Sequence, residues 1–92
     1  MYILRCKDGT YYVGSTTDLS LRLAEHKQGI WAKYTSARLP VQLVFSCEFQ
    51  DVIEAYEREN QVKHWSRAKK EALIRGDWDA LPELSERRVK NR

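Results

Sequence analysis

Residues 2–14, YILRCKDGTYYVG, decide the fold because they contain two short strand-like segments joined by a turn. Both segments are rich in aromatic and branched residues, which favour strands. The turn contains Asp8-Gly9, a pair typical of tight hairpins. The sequence therefore predicts an antiparallel hairpin with strands at residues 1–6 and 11–15 and a turn at residues 7–10.

The length of the hairpin loop determines whether Tyr2 and Tyr12 share a face of the sheet. A two-residue loop at Asp8 and Gly9 would place them on opposite faces, because it pairs residues of unlike parity. A three-residue loop places both on one face. We predict a three-residue loop from Asp8 to Thr10, with Gly9 or Thr10 in the left-handed conformation. A clean two-residue turn without a bulge would contradict a joint role for the two tyrosines.

Three helices and a third strand are predicted after the hairpin. A helix over residues 17–28 begins at a Thr17 or Asp18 cap and ends before Gly29. The segment VQLVFSCEF, residues 41–49, is rich in β-branched and aromatic residues and predicts a strand. The remaining predicted elements are a long loop at 29–40 and helices at 51–64 and 66–75.

These elements predict an α/β fold of the α+β kind, in which helices flank a small, mainly antiparallel, three-stranded sheet. A chain of 92 residues is long enough to bury a core unaided. We expect residues 1–76 to form one domain. Residues 77–92 are expected to be a packed C-terminal extension that ends in a basic tail.

Three polar residues interrupt the apolar faces of the predicted helices. Arg22 and His26 lie along the edge of the apolar stripe of the first helix. Glu59 falls where the helical spacing of the segment DVIEAYERENQVK calls for an apolar side chain. A buried carboxylate without a partner is costly, so Glu59 requires a cation, a metal ion or a hydrogen-bond donor beside it. An ordinary ion pair at the rim of the core, with Arg22 as one candidate partner, remains the structural alternative.

Basic residues are concentrated in two stretches of a chain whose net charge is +3. No acidic residue stands between Glu25 and Glu48, or between Glu59 and Glu71, whereas both stretches contain lysine and arginine. Such stretches favour binding of a polyanion, because neutralised phosphates release their counterions. Solvated helix faces have the same composition, so charge leaves both interpretations open.

The composition predicts a globular protein of the cytoplasm. The hydrophobic fraction is 42%, no apolar run approaches the length of a membrane-spanning helix, and no secretory leader is evident. Cys6 and Cys47 lack the spacing of a metal site and are expected to remain reduced. We therefore expect no membrane association.

The polar residues and the hairpin together resemble the motif of the GIY-YIG nuclease superfamily in order and spacing. Three longer segments are similar to its small single-domain bacterial members, of uncharacterised endonuclease-like type: CKDGTYYVGSTTDLSLRLAEH, AKYTSARLPVQLVF and VKHWSRAKKEALI. The similarity covers residues 1 to about 75. One departure is that Met1 stands where the first motif has isoleucine. The matching positions are Tyr2, Tyr12-Val13-Gly14, Arg22, His26 and Glu59.

The resemblance implies a metal-dependent endonuclease that hydrolyses phosphodiester bonds. Tyr12 would be the general base, Arg22 would stabilise the transition state, and Glu59 would bind one divalent ion, Mg²⁺ or alternatively Mn²⁺. Tyr2 would orient the water or the phosphate, and His26 would assist proton transfer. Structure-selective or single-strand cleavage of DNA in repair or processing is expected.

The implied partner is nucleic acid, with DNA favoured over RNA, and the chain is expected to be a monomer or a weak homodimer. One alternative is a non-catalytic nucleic-acid-binding module on the same fold, and a more remote one is a protein-interaction domain. The predicted nucleic-acid contacts are Lys33, Tyr34, Ser36, Arg38, Lys63 and Arg67.

Overall fold

A computed structural model describes residues 1–77, so the predicted extension lies outside the described residues except for Asp77. The strands form one sheet of order β2-β1-β3, and both neighbouring pairs are antiparallel. The predicted three-stranded α+β fold is confirmed. In chain order the elements are β1 (Tyr2–Arg5), β2 (Tyr11–Gly14), α1 (Leu19–Lys27), α2 (Lys33–Ser36), β3 (Gln42–Ser46), α3 (Val52–Lys63) and α4 (Arg67–Arg75).

The three longer helices begin at side-chain caps that the sequence predicted. The carboxylate of Asp18 accepts a hydrogen bond from the backbone of Leu21 in α1, and Asp51 does the same for Ile53 in α3. Ser66 caps α4 in the same way. Each cap satisfies a backbone N–H that has no partner within the helix, which fixes where the helix starts.

The hairpin has a three-residue loop, as predicted, but the loop begins one residue earlier than expected. The N–H of Cys6 donates to the carbonyl of Thr10 at 2.8 Å, so pairing continues past β1 and the loop is residues 7–9. Gly9 adopts the predicted left-handed conformation, with φ of 84°. Because Tyr2 pairs with Gly14 and Leu4 pairs with Tyr12, the two tyrosines share one face of the sheet.

Two predicted segments differ from the structure: the loop at 29–40 and the strand at 41–49. The expected long loop at 29–40 contains the short helix α2, which is closed by hydrogen bonds from the N–H of Ser36 to the carbonyl of Ala32 and from Ala37 to Lys33. The third strand covers only residues 42–46 of the predicted 41–49. Its pairing with the short strand β1 ends at Cys47, whose N–H donates a hydrogen bond of 2.9 Å to the carbonyl of Met1.

The sheet separates two apolar clusters. On one face, Ile3 and Val13 pack with Val62 of α3 and Leu73 of α4. On the other face, the cluster around Tyr2 and Leu4 includes side chains of α1 and of the segment before β3, namely Leu19, Leu23, Leu39 and Val41. The apolar stripe predicted for α3 is buried at Val62, but Val52, at the start of the helix, is 70% exposed.

No helix within residues 1–77 has both the length and the apolar character needed to cross a membrane.

Candidate active site

Tyr2 is the buried centre of the candidate site, on the sheet face that packs against α1. Its side chain is 1% exposed and lies across Gly14 of the neighbouring strand. A Cβ atom on Gly14 would lie 2.6 Å from the hydroxyl oxygen of Tyr2 and 2.7 Å from its Cζ. Gly14 is therefore required by the close approach of the tyrosine ring.

His26 of α1 is fully buried between two hydroxyl groups. Its Nε2 lies 2.7 Å from the hydroxyl of Tyr2, and its Nδ1 lies 2.8 Å from the hydroxyl of Thr35 in α2. Burial, with a further contribution from the charge of Arg22, lowers the pKa of His26 from its ordinary value of 6.5. The imidazole is thus held neutral at pH 7.

The phenol of Tyr2 is also held in its neutral form. Burial raises the pKa of Tyr2 to about 12, although the nearby positive charge of Arg22 acts in the opposite direction. At neutral pH the hydroxyl of Tyr2 therefore keeps its proton.

Tyr12 completes an aromatic cluster on the same face. Its ring centroid is 5.1 Å from that of His26 and 6.3 Å from that of Tyr2. On its other side Tyr12 meets Tyr34 of α2, at 6.2 Å between ring centroids. These separations are typical of packed aromatic pairs.

Arg22 is held from three directions. Its Nη1 donates to the carbonyl of Ser15 at 3.2 Å, and its Cζ lies 3.5 Å from the ring centroid of Trp31. Its Nε is 3.5 Å from a carboxylate oxygen of Glu25 but makes no hydrogen bond within the described part of the chain. The Nε is buried beside Glu25, so an anion in the cleft would have to reach the guanidinium at its Nη atoms.

Glu59 reaches the same region from α3, the helix on the opposite side of the sheet. Its Oε1 accepts a hydrogen bond of 2.6 Å from the hydroxyl of Ser15, and its Oε2 lies 3.0 Å from the Nζ of Lys63. The side chain of Glu59 is 13% exposed. An ion pair at the core's rim, which the sequence left open, is present with Lys63 as the partner.

Ser15 is the residue that sequence reasoning missed. It follows β2 directly, and it binds Arg22 through its carbonyl and Glu59 through its hydroxyl. The only sequence signal is a hydroxyl residue placed directly after Tyr12-Val13-Gly14 at the predicted strand end. Ser15 thus joins elements from the two sides of the sheet at one point.

A cleft of about 910 Å³ opens between the start of α1 and the start of α3. Tyr2, Ser15 and Arg22 line it, whereas Tyr12, His26 and Glu59 are absent from its wall. Glu59 is bonded to the wall through Ser15, and Tyr12 and His26 contact the buried ring of Tyr2. The wall of the cleft therefore includes Tyr2 and Arg22, and Ser15 connects it to the carboxylate of Glu59.

Four of the predicted nucleic-acid contacts lie in α2 or directly after it, namely Lys33, Tyr34, Ser36 and Arg38. The guanidinium of Arg38 lies 3.9 Å from the ring centroid of Tyr34 and forms an ion pair of 3.0 Å with Asp8. Lys33 is exposed, and the hydroxyl of Ser36 donates to the carbonyl of Lys33. Because Tyr34 contacts Tyr12, this group is adjacent to the aromatic cluster.

Arg67 lies on the other side of the sheet from the aromatic cluster. Its Nη1 donates to the carbonyl of Gly9 at 2.7 Å, and its guanidinium lies 4.9 Å from the ring centroid of Tyr11. Tyr11 belongs to the apolar cluster of the face opposite Tyr12. Arg67 therefore supports the hairpin turn, whereas Lys63 remains beside the site through its ion pair with Glu59.

The residues present suit a cation that uses few protein ligands. No three His, Cys, Asp or Glu side chains within residues 1–77 are grouped to enclose an ion. Each carboxylate oxygen of Glu59 accepts one hydrogen bond, which leaves further lone pairs. Mg²⁺ is commonly held by one or two carboxylates, water and substrate phosphates, so Glu59 fits as its protein ligand.

The chain is similar to several known proteins. Residues 1–72 match the family model described as the GIY-YIG catalytic domain. A UPF0213 protein of Halobacterium salinarum is 51% identical over 74 residues, which cover 80% of this chain and 96% of that protein. A UPF0213 protein of Streptococcus pneumoniae serotype 4 is 46% identical over 79 residues, which cover 86% of this chain and 80% of that protein.

A solved structure is also similar to this chain. The solution NMR structure of a UPF0213 protein from Bacillus halodurans has 45% sequence identity and a TM-score of 0.53. The match covers 91% of this chain and 93% of that one.

Proposed function

Since the chain belongs to the GIY-YIG family, we propose that it is a metal-dependent endonuclease that hydrolyses phosphodiester bonds in DNA. The observation that carries this proposal is the meeting of Arg22 and Glu59 at Ser15, on the wall of a cleft that Tyr2 also lines. A cation can stabilise charge on the phosphate, a carboxylate can hold a metal ion, and a phenol can orient water, and these are functions that phosphodiester hydrolysis uses.

Arg22 binds the scissile phosphate and stabilises the negative charge that develops on it. Its place in the wall of the cleft supports this role, as does the Trp31 ring that restricts its movement. Tyr12 is the proposed general base and Tyr2 orients the attacking water. Tyr2 lines the cleft, whereas Tyr12 contacts the ring of Tyr2 from outside the wall of the cleft. The Tyr2→Phe and Tyr12→Phe variants therefore test the two proposed roles one at a time.

Glu59 is the proposed ligand of the divalent ion that nucleases of this family generally use. When bound, Mg²⁺ or Mn²⁺ would neutralise charge on the phosphate and on the leaving oxygen. Ser15 holds the carboxylate in place through a hydrogen bond of 2.6 Å. The neighbouring ammonium of Lys63 competes for the same carboxylate, and it is the second cation available for a phosphate oxygen.

The proposed substrate is single-stranded or branched DNA, handled by a monomer or weak homodimer in the cytoplasm during repair or processing. The exposed rings of Trp31 and Tyr34 favour an unpaired strand as the substrate, because unpaired bases stack on aromatic side chains. Lys33 and Arg38 are the proposed phosphate contacts beside them.

The assay that tests this function uses labelled single-stranded, duplex and branched DNA together with RNA. Each substrate is incubated with Mg²⁺, Mn²⁺ or a chelator. Products that appear with metal and disappear with the chelator support the proposal. Binding without cleavage of every substrate contradicts it.

A non-catalytic nucleic-acid-binding module is the second candidate. The observation that favours it is the ion pair of 3.0 Å between Glu59 and Lys63, because the ammonium competes with a metal ion for the carboxylate. That candidate predicts retention of DNA in a binding assay with no product in the presence of either metal ion.

A further inference from the structure

Thr35 is a fully buried polar residue that the proposed chemistry has not used. It lies in α2 and its hydroxyl is 2.8 Å from the Nδ1 of His26. The same hydroxyl is 3.2 Å from the carbonyl of Ala32, which can only accept a hydrogen bond. Thr35 is therefore the link between the backbone of α2 and the ring of His26.

Three hydrogen bonds connect the carbonyl of Ala32, Thr35, His26 and Tyr2, and their donors and acceptors fit one arrangement of protons. A threonine hydroxyl has a single proton, and here it is donated to the carbonyl of Ala32. The oxygen of Thr35 must then accept the proton of His26 Nδ1. A neutral imidazole has one N–H, so Nε2 is left with a lone pair and accepts the hydroxyl proton of Tyr2.

The charge of Arg22 independently favours the same arrangement of protons. The positive charge of Arg22 acts on the hydroxyl of Tyr2 and lowers its pKa, although the larger effect of burial raises it, so a cation lies near that group. In the opposite tautomer the N–H of Nε2 would donate to Tyr2, and the hydroxyl proton of Tyr2 would turn towards a cation. That arrangement is electrostatically unfavourable.

We propose that Thr35 is a positioning residue that fixes the Nδ1–H tautomer of His26, so that Tyr2 donates its proton inwards and presents an acceptor lone pair to the cleft. The catalytic consequence rests on the proposed nuclease function. An acceptor at Tyr2 binds a proton of the attacking water and leaves the water's own lone pair directed to phosphorus. A donor at Tyr2 would instead occupy that lone pair.

The tautomer is measured directly by nitrogen-15 NMR of the two imidazole nitrogens in the full chain. The His64→Gln variant leaves His26 as the single histidine of the protein. In this background we expect a protonated Nδ1 and an unprotonated Nε2. A proton on Nε2 would overturn the proposal without any further variant.

Two substitutions identify the residue that sets the tautomer. Thr35→Val keeps the shape of the side chain but removes the acceptor, and we expect both nitrogens to show a mixture of tautomers. Thr35→Ser should restore the Nδ1–H form. Tyr2→Phe should leave that form unchanged, and this variant keeps the test decisive even where Thr35→Val does not fold. A tautomer that persists in Thr35→Val, or changes in Tyr2→Phe, contradicts control by Thr35.

Kinetics separate positioning from simple structural support. Thr35→Val is expected to lower kcat about 10-fold with little change in KM, as for other residues that orient a functional group through a hydrogen bond. Thr35→Ser should recover most of the loss. An unchanged kcat together with an altered tautomer removes the catalytic part of the proposal. If the wild type cleaves nothing, the proposed function fails while the NMR result still decides the tautomer.

Discussion

Tyr2 lies across Gly14 so closely that a Cβ on the glycine would be 2.6 Å from the tyrosine hydroxyl. The two residues are direct partners at one end of the β1–β2 pairing, so neither can move without disturbing that end of the strand pair. The glycine therefore determines where the hydroxyl of Tyr2 lies, and through it the hydrogen bond of 2.7 Å to His26.

Gly14→Ala should consequently lower both stability and activity. Overpacking of this kind costs about 1–3 kcal/mol in the free energy of unfolding, which urea denaturation measures. The matched control is the same substitution in a Tyr2→Ala background, where both contacts with Tyr2 are absent and only the contact of 3.2 Å with Tyr12 Cε1 remains, so the extra cost of Gly14→Ala should be much smaller. Equal costs in both backgrounds would show that the backbone, and not Tyr2, requires the glycine.

Ser15→Ala should weaken the connection between α1 and α3. The variant removes the hydroxyl that donates to the part-buried carboxylate of Glu59 at 2.6 Å. We expect a loss of about 1–3 kcal/mol in the free energy of unfolding, together with slower cleavage. Ser20→Ala, on the exposed face of α1, is the control and should change stability by less than about 0.5 kcal/mol. Equal effects at the two serines would contradict the role of Ser15.

Trp31→Ala should release the guanidinium of Arg22, which now lies 3.5 Å from the centroid of the indole ring. A cation–π contact at an exposed site contributes about 0.5–1 kcal/mol. We therefore expect a 2- to 5-fold rise in KM, because each RT ln 10 of about 1.4 kcal/mol corresponds to a factor of ten. Trp31→Phe should give a smaller rise. An unchanged KM in Trp31→Ala would show that Ser15 and Glu25 position Arg22 without the indole ring.

Acidification should destabilise the protein through His26. Its pKa is lower in the folded chain than the ordinary value of 6.5, so the unfolded chain binds the proton more readily. The contribution of His26 is fully present above pH 6.5 and is lost as the pH falls from that value towards the lower folded pKa. Urea midpoints measured from about pH 7.5 down to about pH 5 test this.

The other histidine provides the control for that experiment. His64→Gln should retain the decline in urea midpoint, because the buried His26 is intact, whereas His26→Gln should flatten it. A decline of the same size in His26→Gln would assign the effect to other groups.

Much of the fold could be predicted because it depends on local chemistry. Asp18, Asp51 and Ser66 are caps whose action extends over only three residues, so the helix starts were predictable. The shared face of Tyr2 and Tyr12 followed from the parity of a loop that contains Gly9.

The features that sequence reasoning missed depend on contacts between distant segments. The helix α2 has only four residues and no side-chain cap, and its Thr35 is buried by contact with His26. The partner of Glu59 and the side on which Arg67 lies likewise depend on packing of the helices against the sheet, which residue spacing does not contain.

The convergence of Arg22 and Glu59 at Ser15 is the central claim, and the rate of cleavage under single-turnover conditions with saturating enzyme tests it most directly. Arg22→Ala and Glu59→Gln should each slow the metal-dependent rate by about 100-fold or more. Their controls are Arg75→Ala and Glu57→Gln, which change exposed residues of α4 and α3 and should keep the wild-type rate. Cleavage that continues at the wild-type rate in both Arg22→Ala and Glu59→Gln would contradict the claim.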